Sequence, residues 1–313
     1  MDAHELDYDL PPELIAQHPA ARRDESRLLV YSRATAEVEH QVFRELPELV
    51  DALAVVNDTR VVPGRIAIEQ PRGEVLLLER LAGDVWEALA KPTRRLRAGR
   101  RYGSVELLEH LGEGRWRVRL DGEPDGPQLK GAVPLPPYIT EPLEDAERYQ
   151  TVYARERGSA AAPTAGLHFT PDVLARLNVE RVTLHVGLDT FRPLQTERVE
   201  EHHIHGERYE VAPAAWERIR AAERVLAVGT TTVRVLETLA AGGATTGRTE
   251  LFITPGFEFR RVDHLLTNFH LPRSTLLALV MAFAGVEETR RLYALAVEQR
   301  YRFYSFGDAM LIL

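Results

Sequence analysis

The 313-residue chain gathers its chemically able side chains into a few short runs. Thr267-Asn268-Phe269-His270-Leu271-Pro272-Arg273-Ser274 stands directly before the apolar stretch from Leu276 to Ala284. An amide, an imidazole, a guanidinium and a hydroxyl at a helix start suit a carboxylate or phosphate, because helix N–H groups and arginine both donate to oxyanions. A capped helix accounts for Pro272 and Ser274 but leaves Asn268, His270 and Arg273 unexplained. Asparagine occurs only at positions 57, 178 and 268, so each retained Asn reads as required. A second run, Gly158 to His168, is built of small residues, with Thr164 and Gly166 where a ligand or another backbone can approach closely. Its terminal His168 is either a core residue or an acid–base group. A third, Val228-Gly229-Thr230-Thr231, is a strand end, a glycine turn and a helix start. Its amides and hydroxyls can hold an anion, or it is simply a tight turn with a threonine cap. It lacks the Gly-Lys-Ser/Thr ending of a P-loop. A fourth, Asn57-Asp58-Thr59-Arg60, is a polar turn at a strand's carboxyl end, where open α/β sheets bind ligands. In the tail, Tyr301 to Met310, aromatics alternate with polar groups and Asp308 is the isolated carboxylate.

Other chemistries are excluded or disfavoured. The chain has no cysteine, so thiolate nucleophiles, thiolate metal sites and disulfides are ruled out. Glu201-His202-His203-Ile204-His205 with Glu207 offers ligand types for zinc or iron. It lies in a polar, loop-like stretch with no second cluster, so substrate contact or proton transfer is the preferred reading and no metal is expected. No Gly-x-Ser-x-Gly elbow supports a serine hydrolase. Met1 to Leu10 carries acids and no apolar run, unlike a signal peptide. Leu276 to Ala284 is far short of the roughly 20 apolar residues a membrane helix needs. A cytoplasmic protein with no membrane partner is expected.

The net charge of −8 argues against indiscriminate nucleic-acid binding. Yet Lys91, Arg94, Arg95, Arg97, Arg100 and Arg101 crowd one segment, and Arg115, Arg117 and Arg119 follow at the spacing that puts strand side chains on one face. This is either a phosphate-contacting surface or a solvated arginine-rich face.

Three zones position these groups. Residues 1–62 predict a short helix over Glu13 to His18, strands at Arg27 to Tyr31, Val38 to Phe43 and Ala52 to Val56. Residues 63–140 show short alternating runs (Val75 to Glu79, Val85 to Ala90, Val105 to Leu108, Trp116 to Leu120) split by Gly, Asp and Pro, the signature of a small barrel or sandwich. Residues 141–313 alternate strands (Val182 to Val186, Arg224 to Val228, Leu251 to Ile253) with helices (Pro171 to Leu177, Pro213 to Glu223, Thr230 to Ala241, Thr275 to Ala284). The expected architecture is a discontinuous α/β domain, 1–62 plus 141–313. Its mixed or parallel sheet is flanked by helices, and a small all-β barrel-like domain is inserted at 63–140.

As an ordered set, these runs carry more. Tyr8-Asp9-Leu10-Pro11-Pro12-Glu13-Leu14-Ile15-Ala16-Gln17, Asn57-Asp58-Thr59-Arg60, Tyr149 to Ala154, Ala161 to Phe169, Val182-Thr183-Leu184-His185-Val186-Gly187, Val228 to Thr231, Leu266 to Thr275 and Tyr301-Arg302-Phe303 together resemble the S-adenosylmethionine:tRNA ribosyltransferase-isomerase family along nearly the whole chain. Asp189 stands where that family usually has Gly, and Ile204 where Met is usual. The resemblance implies transfer and isomerisation of the ribosyl group of S-adenosylmethionine onto 7-aminomethyl-7-deazaguanine at the wobble position of a tRNA with a GUN anticodon. The products would be epoxyqueuosine in tRNA, adenine and methionine. S-adenosylmethionine is then a consumed substrate, no metal or redox cofactor is needed, and a monomer without an obligatory protein partner is expected.

On that reading His168, His185 and His270, with Asp58 and Asp308 as carboxylate alternatives, are the acid–base candidates. Arg60 or Arg273 would pair with the methionine carboxylate. Asn57, Thr164, Gly166, Gly229, Thr230, Thr231, Asn268 and Ser274 complete the substrate-binding set, and Lys91, Arg94, Arg95 and Arg97 would meet tRNA. Two rivals remain. A methyltransferase would release S-adenosylhomocysteine; a non-catalytic tRNA-binding protein would consume no donor.

Overall fold

A strand that is apolar at every position, such as Leu53-Ala54-Val55-Val56, must be covered on both faces, and this requirement organises the molecule. The computed structural model describes residues 1–124, 131–187, 194, 196–202, 204 and 206–313. The N-terminal part contributes β1 (Arg27–Tyr31), β2 (Val38–Val42), the short α1 (Leu46–Leu49), β3 (Leu53–Asn57) and β4 (Thr59–Val61). Six strands follow: β5 (Arg65–Ile68), β6 (Gly73–Ala82), β7 (Val85–Lys91), β8 (Arg100–Tyr102), β9 (Val105–Gly112) and β10 (Arg115–Leu120). The remainder holds β11 (Glu156–Ser159), α2 (Pro171–Ala175), β12 (Val179–Leu184), β13 (Glu207–Glu210), α3 (Pro213–Ala221), β14 (Val225–Val228), α4 (Thr230–Ala240), β15 (Thr246–Thr249), β16 (His264–Asn268), α5 (Thr275–Ala284), α6 (Val286–Glu298) and β17 (Ala309–Ile312).

The large sheet has nine strands in the order β15-β13-β12-β3-β14-β16-β17-β1-β2. Its centre, β12-β3-β14-β16, is parallel, and antiparallel strands extend it on both sides. Alternate residues serve opposite faces. Leu53, Val55, Val225, Ala227 and Leu265 join the core under α3 to α6. Ala54, Val56, Leu226, Val228 and Leu266 face the other way, against Phe43, Leu46, Ala165, Phe169 and Val173. The mixed α/β expectation holds.

The six strands β5 to β10 form an antiparallel sheet in the order β5-β6-β7-β10-β9-β8 around their own core, which includes Trp86 and Trp116. The sheet curls as a half-barrel. Among the described residues its edge strands β5 and β8 do not pair with each other, so it is less closed than a barrel. The bidentate Arg248–Glu79 pair (2.6 and 2.9 Å) ties it to β15.

Three local expectations need correction. Leu251 to Ile253 is not a strand. The strand is Thr246–Thr249, an exposed edge that pairs through its backbone and so carries no apolar signal. Glu13 to His18 is not a helix: a 3-10 turn, Pro12–Leu14, gives way to Ile15, which bridges to Phe303. The expected strand Val182 to Val186 instead runs Val179–Leu184, placing His185 and Val186 beyond its end.

Candidate active site

The carboxyl ends of β3, β12, β14 and β16 lie along one edge of the sheet. β14 passes into Gly229, whose φ of 87° falls in the region that favours glycine, and then into α4. β16 ends on Asn268. The 3-10 turn Thr164–His168 crosses the same edge. Pro163, Thr164 and Ala165 from the turn, Gly229, Thr230 and Thr231 from α4, and Thr267, Asn268 and His270 from the end of β16 thereby wall one crevice of ≈ 30 Å³. That is about one water's share of liquid volume, so a nucleoside can enter only if the walls part.

Polar groups on these walls are under-used, while Arg273 and Ser274, expected in the site, follow β16 without lining the crevice. α4 begins with no side-chain cap, so its first amides present partial positive charge to the crevice. Asn268 is buried. Its Nδ2 donates to the Tyr304 carbonyl (3.0 Å) and to His168 Nε2 (3.3 Å), while its Oδ1 has no partner. A buried carbonyl oxygen left in this way costs roughly 1–3 kcal/mol until a donor reaches it. Arg273 sits at φ 53°, held by its N–H to the Leu6 carbonyl and by its carbonyl accepting from the Leu194 N–H, and its buried Nε has no partner. Ser274 is occupied as the α5 cap: its Oγ accepts from the Leu277 N–H and donates to the Leu271 carbonyl.

Two histidines are buried here. His168 is held through Nδ1 by Ser26 Oγ at 2.7 Å, receives Asn268 at Nε2, and stacks on Phe43. Since Ser26 Oγ also lies within hydrogen-bond reach of the Arg23 carbonyl, a neutral ring protonated at Nδ1 satisfies every group. Burial first, and the nearby Arg302 charge second, push its pKa down to about 3. His270, with Nε2 at 2.7 Å from Thr267 Oγ1, is likewise driven to about 3 by burial. Both are neutral at working pH, and each is a weak base in this geometry. Gly166 is required sterically, because a Cβ there would stand 2.0 Å from Tyr153 Oη.

Other expected residues are placed elsewhere. Asn57 spends its amide on the Leu184 backbone and Thr231 Oγ1, behind the crevice wall. Asp58 is buried, accepts from Thr183 Oγ1 (2.7 Å) and pairs with Arg155 (3.3 Å); burial raises its pKa. Arg60 pairs with Glu147. His185 does not wall the crevice. It meets Thr59 Oγ1 (3.0 Å) and packs on Gly158, and burial followed by the Arg208 charge lowers its pKa. Asp308 accepts from the Arg27 and Arg302 amides (3.0 and 2.8 Å) and fixes the chain instead of facing the crevice. Asp189, His203 and His205 lie outside the described residues. Among the described residues no group of three His, Asp or Glu is arranged for a metal. Glu207 pairs with buried Arg234.

On the half-barrel, Arg115, Arg117 and Arg119 are paired with Glu87, Glu109, and Glu106 with Asp84, as a solvated face would be. Lys91, Arg94, Arg95 and Arg97, at the end of β7 and in the β7–β8 connection, are exposed and, among the described residues, form no ion pair.

The residues that sequence reasoning missed lie on the far side of the Thr164–His168 turn. Arg23, Ser26, Arg148, Arg302 and Ser305 surround a second recess, ≈ 20 Å³, that the His168 ring also lines. Arg23, Ser26 and Arg148 stand in polar segments that read as ordinary surface, and in the tail run, which holds Arg302 and Ser305, only Asp308 carries an expected role.

A polar crevice at the carboxyl edge of a helix-covered mixed sheet, beside a curled antiparallel sheet, defines an α/β enzyme with a ligand site built from strand ends. A family model described as "Queuosine biosynthesis protein" matches residues 3–312. The chain is 53% identical to the S-adenosylmethionine:tRNA ribosyltransferase-isomerase of Rubrobacter xylanophilus (100% of this chain, 98% of that one). It is 50% identical to the enzyme of the same name from Desulfitobacterium hafniense (100% of both). It is similar to the crystal structure of S-adenosylmethionine tRNA ribosyltransferase from Thermotoga maritima, with TM-score 0.56 and 37% identity over 99% of this chain and 100% of that one. The chain belongs to the S-adenosylmethionine:tRNA ribosyltransferase-isomerase family, and is therefore a transferase-isomerase of queuosine biosynthesis and tRNA modification.

Proposed function

We propose that the chain transfers and isomerises the ribosyl group of S-adenosylmethionine onto 7-aminomethyl-7-deazaguanine at the wobble position of tRNA with a GUN anticodon. The products are epoxyqueuosine in tRNA, adenine and methionine. The observation that best supports this is the crevice itself, where a buried acceptor without a partner, Asn268 Oδ1, shares walls with an uncapped helix start. A sulfonium nucleoside with an aminocarboxypropyl arm brings what those groups lack: N–H and O–H donors for Asn268, and a carboxylate for the α4 amides.

The chemistry sets the remaining needs. The sulfonium acidifies the adjacent ribose C5′ protons, and a base removes one. Adenine departs with a proton on its ring. The ribose ring opens, the neutral aminomethyl nitrogen of the tRNA base attacks, and reclosure with loss of methionine leaves the epoxide. His270, neutral and on the crevice wall, orients Thr267, and His168, neutral and lining the recess behind the turn, orients Asn268. His168 can take a proton at Nε2 only once Asn268 swings off it. The donor is consumed, so no resident metal or redox group enters this reading. The 63–140 half-barrel serves as an inserted domain that meets tRNA through Lys91, Arg94, Arg95 and Arg97.

The test is incubation with S-adenosylmethionine and tRNA bearing the aminomethyl base, followed by mass analysis. Adenine and methionine in equal amounts, with epoxyqueuosine in the RNA, are expected. S-adenosylhomocysteine would move the chain to the methyltransferases.

A further inference from the structure

The recess on the far side of the Thr164–His168 turn is used by none of the steps above, and its charge is unexplained. Arg23 comes from the 3-10 turn Arg23–Glu25, Arg148 from the 3-10 turn Ala146–Tyr149, and Arg302 from the loop before β17. All three wall one recess with the hydroxyls of Ser26 and Ser305. Each is fixed by neutral carbonyls: Arg23 by Leu167 (3.0 Å) and Glu147 (2.8 Å), Arg148 by Ala20 and Ala21, Arg302 by His18 (3.4 Å). Carbonyls hold a guanidinium in place without cancelling its charge. Among the described residues the one carboxylate within ion-pair distance is Asp308, 3.5 Å from Arg302, and its oxygens already accept from two backbone amides. The Nε of Arg148 is buried with no partner. Like charges converge here, at a cost in repulsion, around one buried donor that lacks an acceptor, Arg148 Nε.

We propose that Arg23, Arg148 and Arg302 form an oxyanion recess that grips a phosphodiester of the RNA next to the reacting nucleotide. Three guanidiniums and two hydroxyls suit the outer oxygens of a backbone phosphate, which accept several N–H and O–H donors at once. A carboxylate of the sulfonium donor fits less well. The Leu167–His168 segment and the His168–Asn268 hydrogen bond stand between this recess and the crevice, and the crevice has its own anion-seeking helix start. The recess also links the two sides mechanically. Arg23 holds the Leu167 carbonyl, the residue before His168, so phosphate binding would brace the turn that shapes the crevice. The inference rests on tRNA being the acceptor.

The test compares the wild type with Arg148→Gln, Arg148→Lys and Arg23→Gln. It uses a synthetic anticodon stem-loop, unmodified or with a neutral methylphosphonate at one phosphate flanking the wobble nucleotide. Dissociation constants are measured against salt without turnover, and S-adenosylmethionine binding is measured in parallel. Each glutamine variant should weaken RNA binding about tenfold and lower the salt slope by about 0.7–0.9, the share of one phosphate contact. Donor affinity should stay within about twofold in Arg148→Gln, and Arg148→Lys should restore the slope but not all of the affinity. One methylphosphonate should weaken the wild type and add little to Arg148→Gln. An unchanged salt slope in folded variants, no sensitivity of the wild type to either methylphosphonate, or a loss confined to donor binding would each overturn the proposal. The methylphosphonate arm needs no variant to fold. Absence of adenine and methionine from the wild type would refute the reaction assignment instead, and the RNA-binding arms would read independently of it.

Discussion

Asn268 carries opposite duties in one amide. Its Nδ2 ties His168 and the Tyr304 carbonyl together, and its Oδ1 is buried without a donor in a residue that lines the crevice. A ligand hydrogen bond to such an oxygen is worth roughly 1.5–3 kcal/mol when the donor is charged. Asn268→Ala is therefore expected to lower kcat/KM for S-adenosylmethionine by about ten- to a hundredfold, with tRNA affinity unchanged. Steady-state kinetics with each substrate varied in turn check this, and an equal loss for both substrates would count against it. The histidines give a different signature. His168 and His270 are neutral in the folded protein down to about pH 3, whereas in the unfolded chain they charge below about 6.5. Between those limits the unfolded state binds more protons, so stability is fully present above about pH 6.5 and falls as pH falls toward 3. The slope is at most about 1.4 kcal/mol per pH unit for each histidine. Urea titrations from pH 7 to 4 should show it, and His270→Gln should make the slope shallower. An activity limb near pH 6.5 assigned to either residue in the free enzyme would contradict their burial.

The Thr164–His168 turn shapes the site from above, and it is held by close contact as well as by the hydrogen bonds of the His168 ring to Ser26 and Asn268. Gly166 presses its Cα side onto Tyr153, whose buried hydroxyl has no partner. Gly166→Ala forces that hydroxyl aside, an overpacking worth about 1–3 kcal/mol, and should shift the turn enough to weaken donor binding. Tyr153→Phe alone should be nearly neutral in thermal melts, and the double variant should recover part of the loss. If the alanine variant melts like the wild type, the turn is looser than described. How far such elements were legible follows from their physics. β1, β14 and α5 announce themselves, because an apolar run or a Ser274 cap is a local signal. β15 carries no apolar pattern because an edge strand is held by its backbone. The crevice residues Thr164, Thr230, Asn268 and His270 were visible as odd polar groups at strand ends. Which of the other polar residues turn inward was not visible. Asp308 looks catalytic and Asn57 substrate-binding in sequence, and both serve the backbone in space. Arg23 and Arg148 look like surface and converge on His168. Those assignments depend on contacts between residues more than a hundred positions apart.

At the scale of the whole molecule, a chain of net charge −8 has to attract a polyanion, and it can do so only by segregating its cations. Many arginines are neutralised in pairs, as on the β10 face. The end of β7 and the β7–β8 connection instead gather Lys91, Arg94, Arg95 and Arg97 in one stretch, exposed and in no ion pair among the described residues. It lies on the half-barrel, away from the crevice residues, so its contribution should be long-range attraction and phosphate contact instead of chemistry. Replacing all four with Ala should raise KM for tRNA by tenfold or more at low salt and leave kcat at saturating tRNA within about twofold. The dependence of log affinity on log salt should fall by up to about 0.7–0.9 for each cation that touches a phosphate. A parallel set at the paired positions Arg115, Arg117 and Arg119 should change the slope far less, since those charges are already spent on carboxylates. If the two sets behave alike, attraction is set by total charge and not by where the cations stand, and the β7–β8 connection loses its claim to the RNA.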